Sequence, residues 1–277
     1  MDLLAVQLAQ TASAPEAWAS LFQKPEAKAW SDVVVAIKVN CLYDGLMAHV
    51  AIIGKVCNEL IALGVLPSNI SIFDSVHPTP AYYGSYVGNG LAAGVTLPTV
   101  SRDGIEIPVG TETLLCTSVI ARKDGDGKIV YVPDLVINIP VNKGHLKAFG
   151  GFTMAMKNHV GTMYCSGIAI CPPFARLIAM NKSEALLGGT PARQQLIIVD
   201  SLWAAKDGPS SPITGSPACI SMGIFAPITD YLVAKKVREQ RMNVTSHDAT
   251  LLSRMVTEFG YAEAELADYW TEVVAPA

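Results

Sequence analysis

The sequence predicts an α/β fold: a mostly parallel open sheet with flanking helices and a glycine-rich antiparallel β insertion. Three observations carry that expectation. Short, unbroken runs of β-branched residues recur along the chain, the pattern of strands buried on both faces. Between the first two runs lies a segment with apolar residues at helical spacing, so strand, helix and strand follow one another as in a parallel βαβ unit. From residue 78 to 130 this rhythm gives way to glycines and short β pieces. The whole chain, 1–277, reads as one α/β domain, with 78–130 as a β-rich insertion or flap within it.

The elements follow in order. Leu3, Leu4, Val6 and Leu8 open a helix, and a second piece begins near Pro15, a residue suited to a first helical turn. Asp32-Val-Val-Val-Ala-Ile-Lys38 is the first strand. Val50, Ile53, Val56, Cys57, Leu60 and Ile61 repeat at helical spacing, and Gly64 supplies the stop. Asn69-Ile-Ser-Ile-Phe-Asp74 is the second strand. In the insertion, Val95–Val100 and Leu114–Ile120 read as β pieces and Lys123-Asp-Gly-Asp-Gly-Lys128 as a hairpin turn. Asp124 and Asp126 lack the third acidic ligand and the downstream Glu of a calcium loop.

The α/β rhythm returns with Asp134-Leu-Val-Ile-Asn-Ile-Pro140, a glycine-containing loop, and a helix through Met154 to Asn158. Gln195-Leu-Ile-Ile-Val-Asp200 and Cys219-Ile-Ser-Met-Gly-Ile-Phe225 are further strands. Thr229 or Asp230 is the expected cap of a helix ending in Lys235, Lys236, Arg238 and Arg241. Ser246 opens a last helix that Gly260 ends.

Composition narrows the function. Half the 277 residues are apolar (51%) and 16% are charged, enough to bury a substantial core, so global disorder is excluded. A net charge of −4 gives no overall basic field for nucleic acid. The six cysteines (Cys41, Cys57, Cys116, Cys165, Cys171, Cys219) form no CxxC pair, so neither a structural zinc site nor an iron–sulfur cluster is expected from this chain alone. Cys57 and Cys116 read as small buried hydrophobes. The long uncharged stretches, 158–175 and 208–229, are broken by glycine and proline, so no membrane span is expected. Residues 1–22 lack a basic n-region and do not read as a signal peptide.

The informative pattern is at the strand ends. In an open parallel sheet, ligands bind at the carboxyl edge. Here the strands run into Lys38-Val-Asn40, into Asp74, into Asn142-Lys-Gly-His145 and into Asp200. Met156-Lys-Asn-His159 follows closely, across Gly150-Gly151, which permit a close backbone approach. Lysine and asparagine donate hydrogen bonds, and the first carries charge, so together they suit a small anionic ligand. On this reading Lys143, His145 and Asp200 are the candidate catalytic residues. Lys38, Asn40, Lys157 and Asn158 are the candidate substrate- or anion-binding residues. His145, His159, Asp74 and Asp200 are the groups a metal site would draw on, although no HExxH spacing is present. No P-loop, GxGxxG or GxSxG occurs. No metal or cofactor is identified.

Lys38-Val-Asn-Cys41, Asp134-Leu-Val-Ile-Asn-Ile-Pro-Val-Asn-Lys-Gly-His145, Met156-Lys-Asn-His-Val-Gly161, and Ile198-Val-Asp-Ser201 with Asp207-Gly-Pro209 resemble the bacterial and archaeal family called domain of unknown function 362. The likeness spans about residues 31–260. It implies functional roles at Lys38, Asn40, Lys143, His145, Lys157, Asn158 and Asp200. The family's late acidic helix start reads Ala226-Pro-Ile-Thr-Asp230 here. Its iron–sulfur label belongs to relatives with an added ferredoxin-like cysteine segment, which this chain lacks. Many bacterial relatives look exported, so a mature exported protein is the expectation, with a cytoplasmic one as the alternative.

Three functions compete on this sequence. The first is an enzyme acting on a small anionic substrate or using an anionic cofactor. The second is a metal- or anion-binding accessory to redox proteins, and the third a structural partner subunit. The last two leave room for a redox partner or a homo-oligomer.

Overall fold

The computed structural model describes residues 1–75, 77–100, 104–147, 150–164, 173–245 and 247–274. The twelve strands assigned there are β1 (Val35–Val39), β2 (Ile70–Phe73), β3 (Ile105–Val109), β4 (Glu112–Cys116), β5 (Ala121–Lys123), β6 (Ile129–Tyr131), β7 (Leu135–Ile139), β8 (Val141–Gly144), β9 (Phe152–Thr153), β10 (Met163–Tyr164), β11 (Gln194–Ala205) and β12 (Cys219–Gly223). The α-helices are α1 (Asp2–Ala9), α2 (Ala14–Ser20), α3 (Val50–Ala62), α4 (Thr79–Tyr83), α5 (Ala155–Asn158), α6 (Phe174–Lys182), α7 (Ala226–Val233) and α8 (Ala249–Thr257).

The main sheet has seven strands and is mostly parallel. β2, β1, β7 and β11 lie side by side and run the same way. β8 continues β7 after the break at Pro140 and stays parallel to β11, so β7 and β8 flank the same edge of it in turn. β12 runs antiparallel on the opposite edge: Ile197 is in register with Asn138 on one side and Gly223 on the other. β1 ends at Val39, opposite Ile139, and past that point the antiparallel β9 takes its place beside β8. The sheet therefore opens just where Lys38 and Asn40 leave it.

Strand alternation sends side chains to two cores. Val35, Ile37, Val39, Ile70, Ile72, Leu135, Ile137, Leu196 and Ile198 pack with α1, α2 and α3 on the first face. On the second face, Ile197 and Val199 pack with α6, α7 and α8, and Ala36, Phe73 and Val136 pack with the β3–β4 hairpin. Lys38 and Asn138, in register across β1 and β7, follow the parity of Ala36 and Val136 and face this second side. Asp200 follows Leu196 and Ile198 to the first.

The insertion is built from two antiparallel hairpins. β3 pairs with β4, which also takes β10, and β5 pairs with β6. The 123–128 turn forms as expected: Asp124 Oδ1 accepts from the backbone N–H groups of Asp126 (3.0 Å) and Lys128 (2.9 Å). Val95–Val100 is not a strand. Only Thr96 bridges to Ser71, exchanging backbone hydrogen bonds with the β2 edge. β4 starts earlier than expected and stops at Cys116, where residues 117–120 turn back on themselves.

Two helix starts also differ from expectation. α7 begins at Ala226, with Pro227 in its first turn, so Thr229 and Asp230 lie inside it rather than capping it. It passes directly into a π-helical turn, Ala234–Glu239. Ser246 lies outside the described residues, and Asp248 caps α8 by accepting from the N–H groups of Thr250 and Leu251. No described helix is long and apolar enough to cross a membrane.

Candidate functional site

Lys38 is 1% exposed, at the end of a strand with neighbours on both sides. A buried ammonium needs partners. It donates to the Val39 carbonyl (2.6 Å), Asp74 Oδ1 (3.1 Å) and Asn158 Oδ1 (3.3 Å). Asp74 sits just past β2, beside Lys38 because β1 and β2 are in register. Its second oxygen accepts from the Cys41 backbone N–H at 2.7 Å, holding the turn where the chain leaves β1. Ser75 donates to the Gly161 carbonyl, which ties the end of β2 to the segment after α5.

Amides extend the network. Asn158, the last residue of α5, accepts from Asn40 Nδ2 (3.1 Å) and donates to Asn138 Oδ1 (2.8 Å). Asn138 in turn donates to the Ala155 carbonyl and to Gln194 Oε1. His159 is buried here with Nε2 against Gln194 Oε1 (2.5 Å) and Nδ1 against Thr162 Oγ1 (3.1 Å). Burial pushes its imidazole down to about 3, so it is neutral.

Lys143, on β8 and fully buried, donates one hydrogen bond, to Asn40 Oδ1 at 2.7 Å. An ammonium has three donors, and among the described residues one of them finds an acceptor. Burial drives Lys143 down to about 8 from 10.5, and the Lys38 charge pushes the same way against the pull of Asp74 and Cys41. That range suits proton transfer near neutral pH. His145 is pushed down to about 4, by burial and then by the Lys157 charge. Its Nδ1 accepts from the Leu146 backbone N–H at 2.8 Å.

α5 has four residues and is braced from below. Both oxygens of the buried Asp230 on α7 accept from its first N–H groups, Ala155 and Met156, each at 2.8 Å. Lys157 and Asn158 are presented from this short turn, with Lys157 8% exposed.

These residues surround a small cavity that opens to solvent. Lys38, Asn40, Asp74, His145, Lys157 and Asn158 line it, with Leu42, Val160 and Pro209 giving an apolar wall. Lys143 is not among the lining residues but donates to Asn40, which is. Six of the seven residues singled out from the sequence thus meet in one network or line one cavity. Asp200 does not. On the other sheet face its Oδ2 accepts from the backbone N–H (2.8 Å) and Nδ1 (2.6 Å) of His49, at the start of α3. Among the described residues, no group of three His, Cys, Asp or Glu side chains is placed to hold a metal ion. Cys41, Cys57, Cys116 and Cys219 are free thiols, and Cys165 and Cys171 lie outside the described residues.

A family model described as Domain of unknown function (DUF362) matches residues 35–228. The chain belongs to the DUF362 family. No curated protein and no solved structure matches it. The DUF362 match runs from the first residue of β1 into the first turn of α7, so it contains every residue lining the cavity. It excludes α1, α2 and α8. Sequence reasoning placed Asp74 on the rim but gave it only a metal role, and it passed over Asn138, Gln194 and Gly161. Asn138 did carry a signal: an amide in the middle of an apolar DUF362 strand must find partners once buried.

Proposed function

We propose that the protein binds a small organic anion at the carboxyl edge of its parallel sheet and acts on it by proton transfer. The observation that carries this reading is the gathering of three buried lysines, Lys38, Lys143 and Lys157, on or beside one cavity whose lining, among the described residues, holds one carboxylate, Asp74. A carboxylate or phosphate entering the cavity would be drawn by the positive potential of these lysines.

The roles divide by hydrogen bonding. Lys38 has spent its donors within the protein, so it acts as a fixed positive charge rather than a direct ligand. Lys157, Asn40 and Asn158 are the groups for the ligand's acidic end. Lys143 is the proton carrier, reached once the Asn40 side chain turns aside from their hydrogen bond: as an amine it takes a proton from the ligand and becomes ammonium, and as ammonium it returns one. Asn40 lies between Lys143 and the cavity and orients it. His145, neutral at working pH, offers an uncharged hydrogen-bonding group on the wall. Asp200 has its carboxylate committed to His49 and the start of α3.

The test is calorimetry with a panel of small carboxylates and inorganic phosphate, followed by deuterium exchange from solvent into any bound ligand, read by NMR. Wild type should bind at least one of them and exchange a C–H proton. Lys143→Met should keep the fold and lose the exchange. Absence of binding by any anion tested would sink the binding half, and unchanged exchange in Lys143→Met would sink the chemical half.

A further inference from the structure

Thr153, the second residue of β9, pairs directly with Lys143 across the antiparallel β8–β9 ladder. Residues opposed in this way send their side chains to the same face, with Cβ atoms about 5 Å apart. Thr153 also lines the cavity. It is 5% exposed, and its Oγ1 has neither a hydrogen-bond partner among the described residues nor contact with solvent. Three buried hydroxyls lack a partner among the described residues, those of Thr117, Thr153 and Ser221, and Thr153 alone is on the cavity. A buried hydroxyl without a partner costs the resting fold stability. Rotation about its Cα–Cβ bond exchanges hydroxyl and methyl and turns the donor towards a ligand.

The lysine beside it indicates what that donor does. A C–H bond next to a carboxylate alone is too weakly acidic for an amine to deprotonate. A ketone on the adjoining carbon changes this, because the electron pair released from carbon passes onto the carbonyl oxygen as an enolate. Such an oxygen needs a hydrogen-bond donor, and the donor is worth most where water is excluded.

We infer that Thr153 is a catalytic residue of this site, its hydroxyl donating to the keto oxygen of a 2-oxo acid whose neighbouring C–H bond faces Lys143. This rests on the anion-site reading above and names its substrate class. The carboxylate lies with Lys157, Asn40 and Asn158. Lys143, as the amine, takes a proton from the carbon beside the ketone. The C–H electron pair becomes the new carbon–carbon double bond, and the carbonyl π pair moves onto the oxygen held by Thr153. Return of a proton from the Lys143 ammonium restores the ketone, so the net change is proton exchange without oxidation or reduction.

Pyruvate and propionate share carbon count and charge and differ at the keto oxygen. Both are titrated calorimetrically into wild type, Thr153→Val and Thr153→Ser, with inorganic phosphate alongside. Exchange of the pyruvate methyl protons in heavy water is followed by NMR against a protein-free control. Wild type should bind pyruvate about tenfold more tightly than propionate and exchange its methyl protons faster than the control. Thr153→Val should bind the two acids within about twofold of each other and lose about a hundredfold in exchange rate. Thr153→Ser should stay close to wild type in both. In urea without ligand, Thr153→Val should be at least as stable as wild type, because it removes an unsatisfied donor and keeps the volume. A less stable Thr153→Val, or one that does not fold, would show that the fold itself uses the hydroxyl and would overturn the inference. A Thr153→Val that keeps the preference for pyruvate would overturn it too, as would pyruvate bound by wild type without exchange. Wild type binding propionate or phosphate as tightly as pyruvate would overturn the substrate class and leave the anion site standing. No binding of any of the three at millimolar concentration would remove the inference together with the reading it rests on.

Discussion

Gly161 shows how tightly the ion pair at the centre of the site is packed. A methyl group there would lie 2.6 Å from Asp74 Oδ1 and 3.1 Å from Lys38 Nζ, closer than such atoms approach. Gly161→Ala must therefore push the carboxylate away from its ammonium. The expected cost is about 1–3 kcal/mol, as for other overpacked interiors, read by urea unfolding, together with weaker anion binding. Gly125→Ala is the control, since nothing lies within 4 Å of the methyl it would add. Gly161→Ala matching Gly125→Ala in both measurements would show that the pair tolerates displacement. Single residues were unequally readable in the sequence. Lys38 and Asn40 stood out because a charge and an amide close an apolar run without a turn signal. Asn138 and Gly161 did not, because their significance lies in partners distant along the chain: Asn138 donates to Gln194, 56 residues on, and Gly161 packs on Lys38 and Asp74.

At the scale of elements, α5 is the piece that presents Lys157 and Asn158, and four residues do not hold a helix by themselves. Its N-terminal donors depend on Asp230, 75 residues away. Burial pushes the Asp230 carboxyl up to about 7 from 3.8, against the two N–H groups that favour its charged form. A carboxyl raised in the folded state contributes stability that is fully present below pH 4 and is lost as pH rises through 7. Asp230→Asn keeps one acceptor oxygen and leaves one buried N–H without a partner, a loss of about 1–3 kcal/mol. The wild type should be more stable than Asp230→Asn by that amount at pH 5, with the gap narrowing towards pH 7. A gap that widens over this range would contradict the raised carboxyl. The sequence placed Asp230 at a helix start because an acid in an apolar stretch resembles a cap. Pro227 was the better signal, since proline favours the first turn, and α7 indeed begins around it. α6 was passed over for a related reason: Gly167 and Pro172-Pro173 break the uncharged stretch before it, although Pro173 directly precedes its first residue.

Across the whole molecule, the parallel strands β1, β2, β7 and β11 were legible and their order was not. Periodicity marks which segments are buried strands, but β7 lies beside β1 only after an excursion of nearly a hundred residues, and no local pattern encodes that adjacency. The same adjacency makes the fold carry a cost at its site. Lys143 is charged in the unfolded chain up to about pH 10.5 but in the folded protein only up to about 8. Below pH 8 both states hold the proton, and the penalty for burying it is present in full. Between pH 8 and 10.5 the unfolded state binds more protons than the folded one, so this residue's contribution to stability rises with pH. The groups that face Lys143 are Lys38 and Asp74 at the ends of β1 and β2, and Cys41 with Asn40 just past β1. Burial holds the Cys41 thiol at about 12, so it stays protonated over this window. Lys143→Met removes the titrating group and keeps the volume. The stability of wild type minus that of Lys143→Met, from urea unfolding at half-unit steps from pH 7 to 10.5, should be flat up to about 8 and then rise by up to about 3 kcal/mol. A difference that stays flat throughout would mean that Lys143 titrates as it does in water, and the lysine would lose both its cost to the fold and its fitness to move a proton at neutral pH.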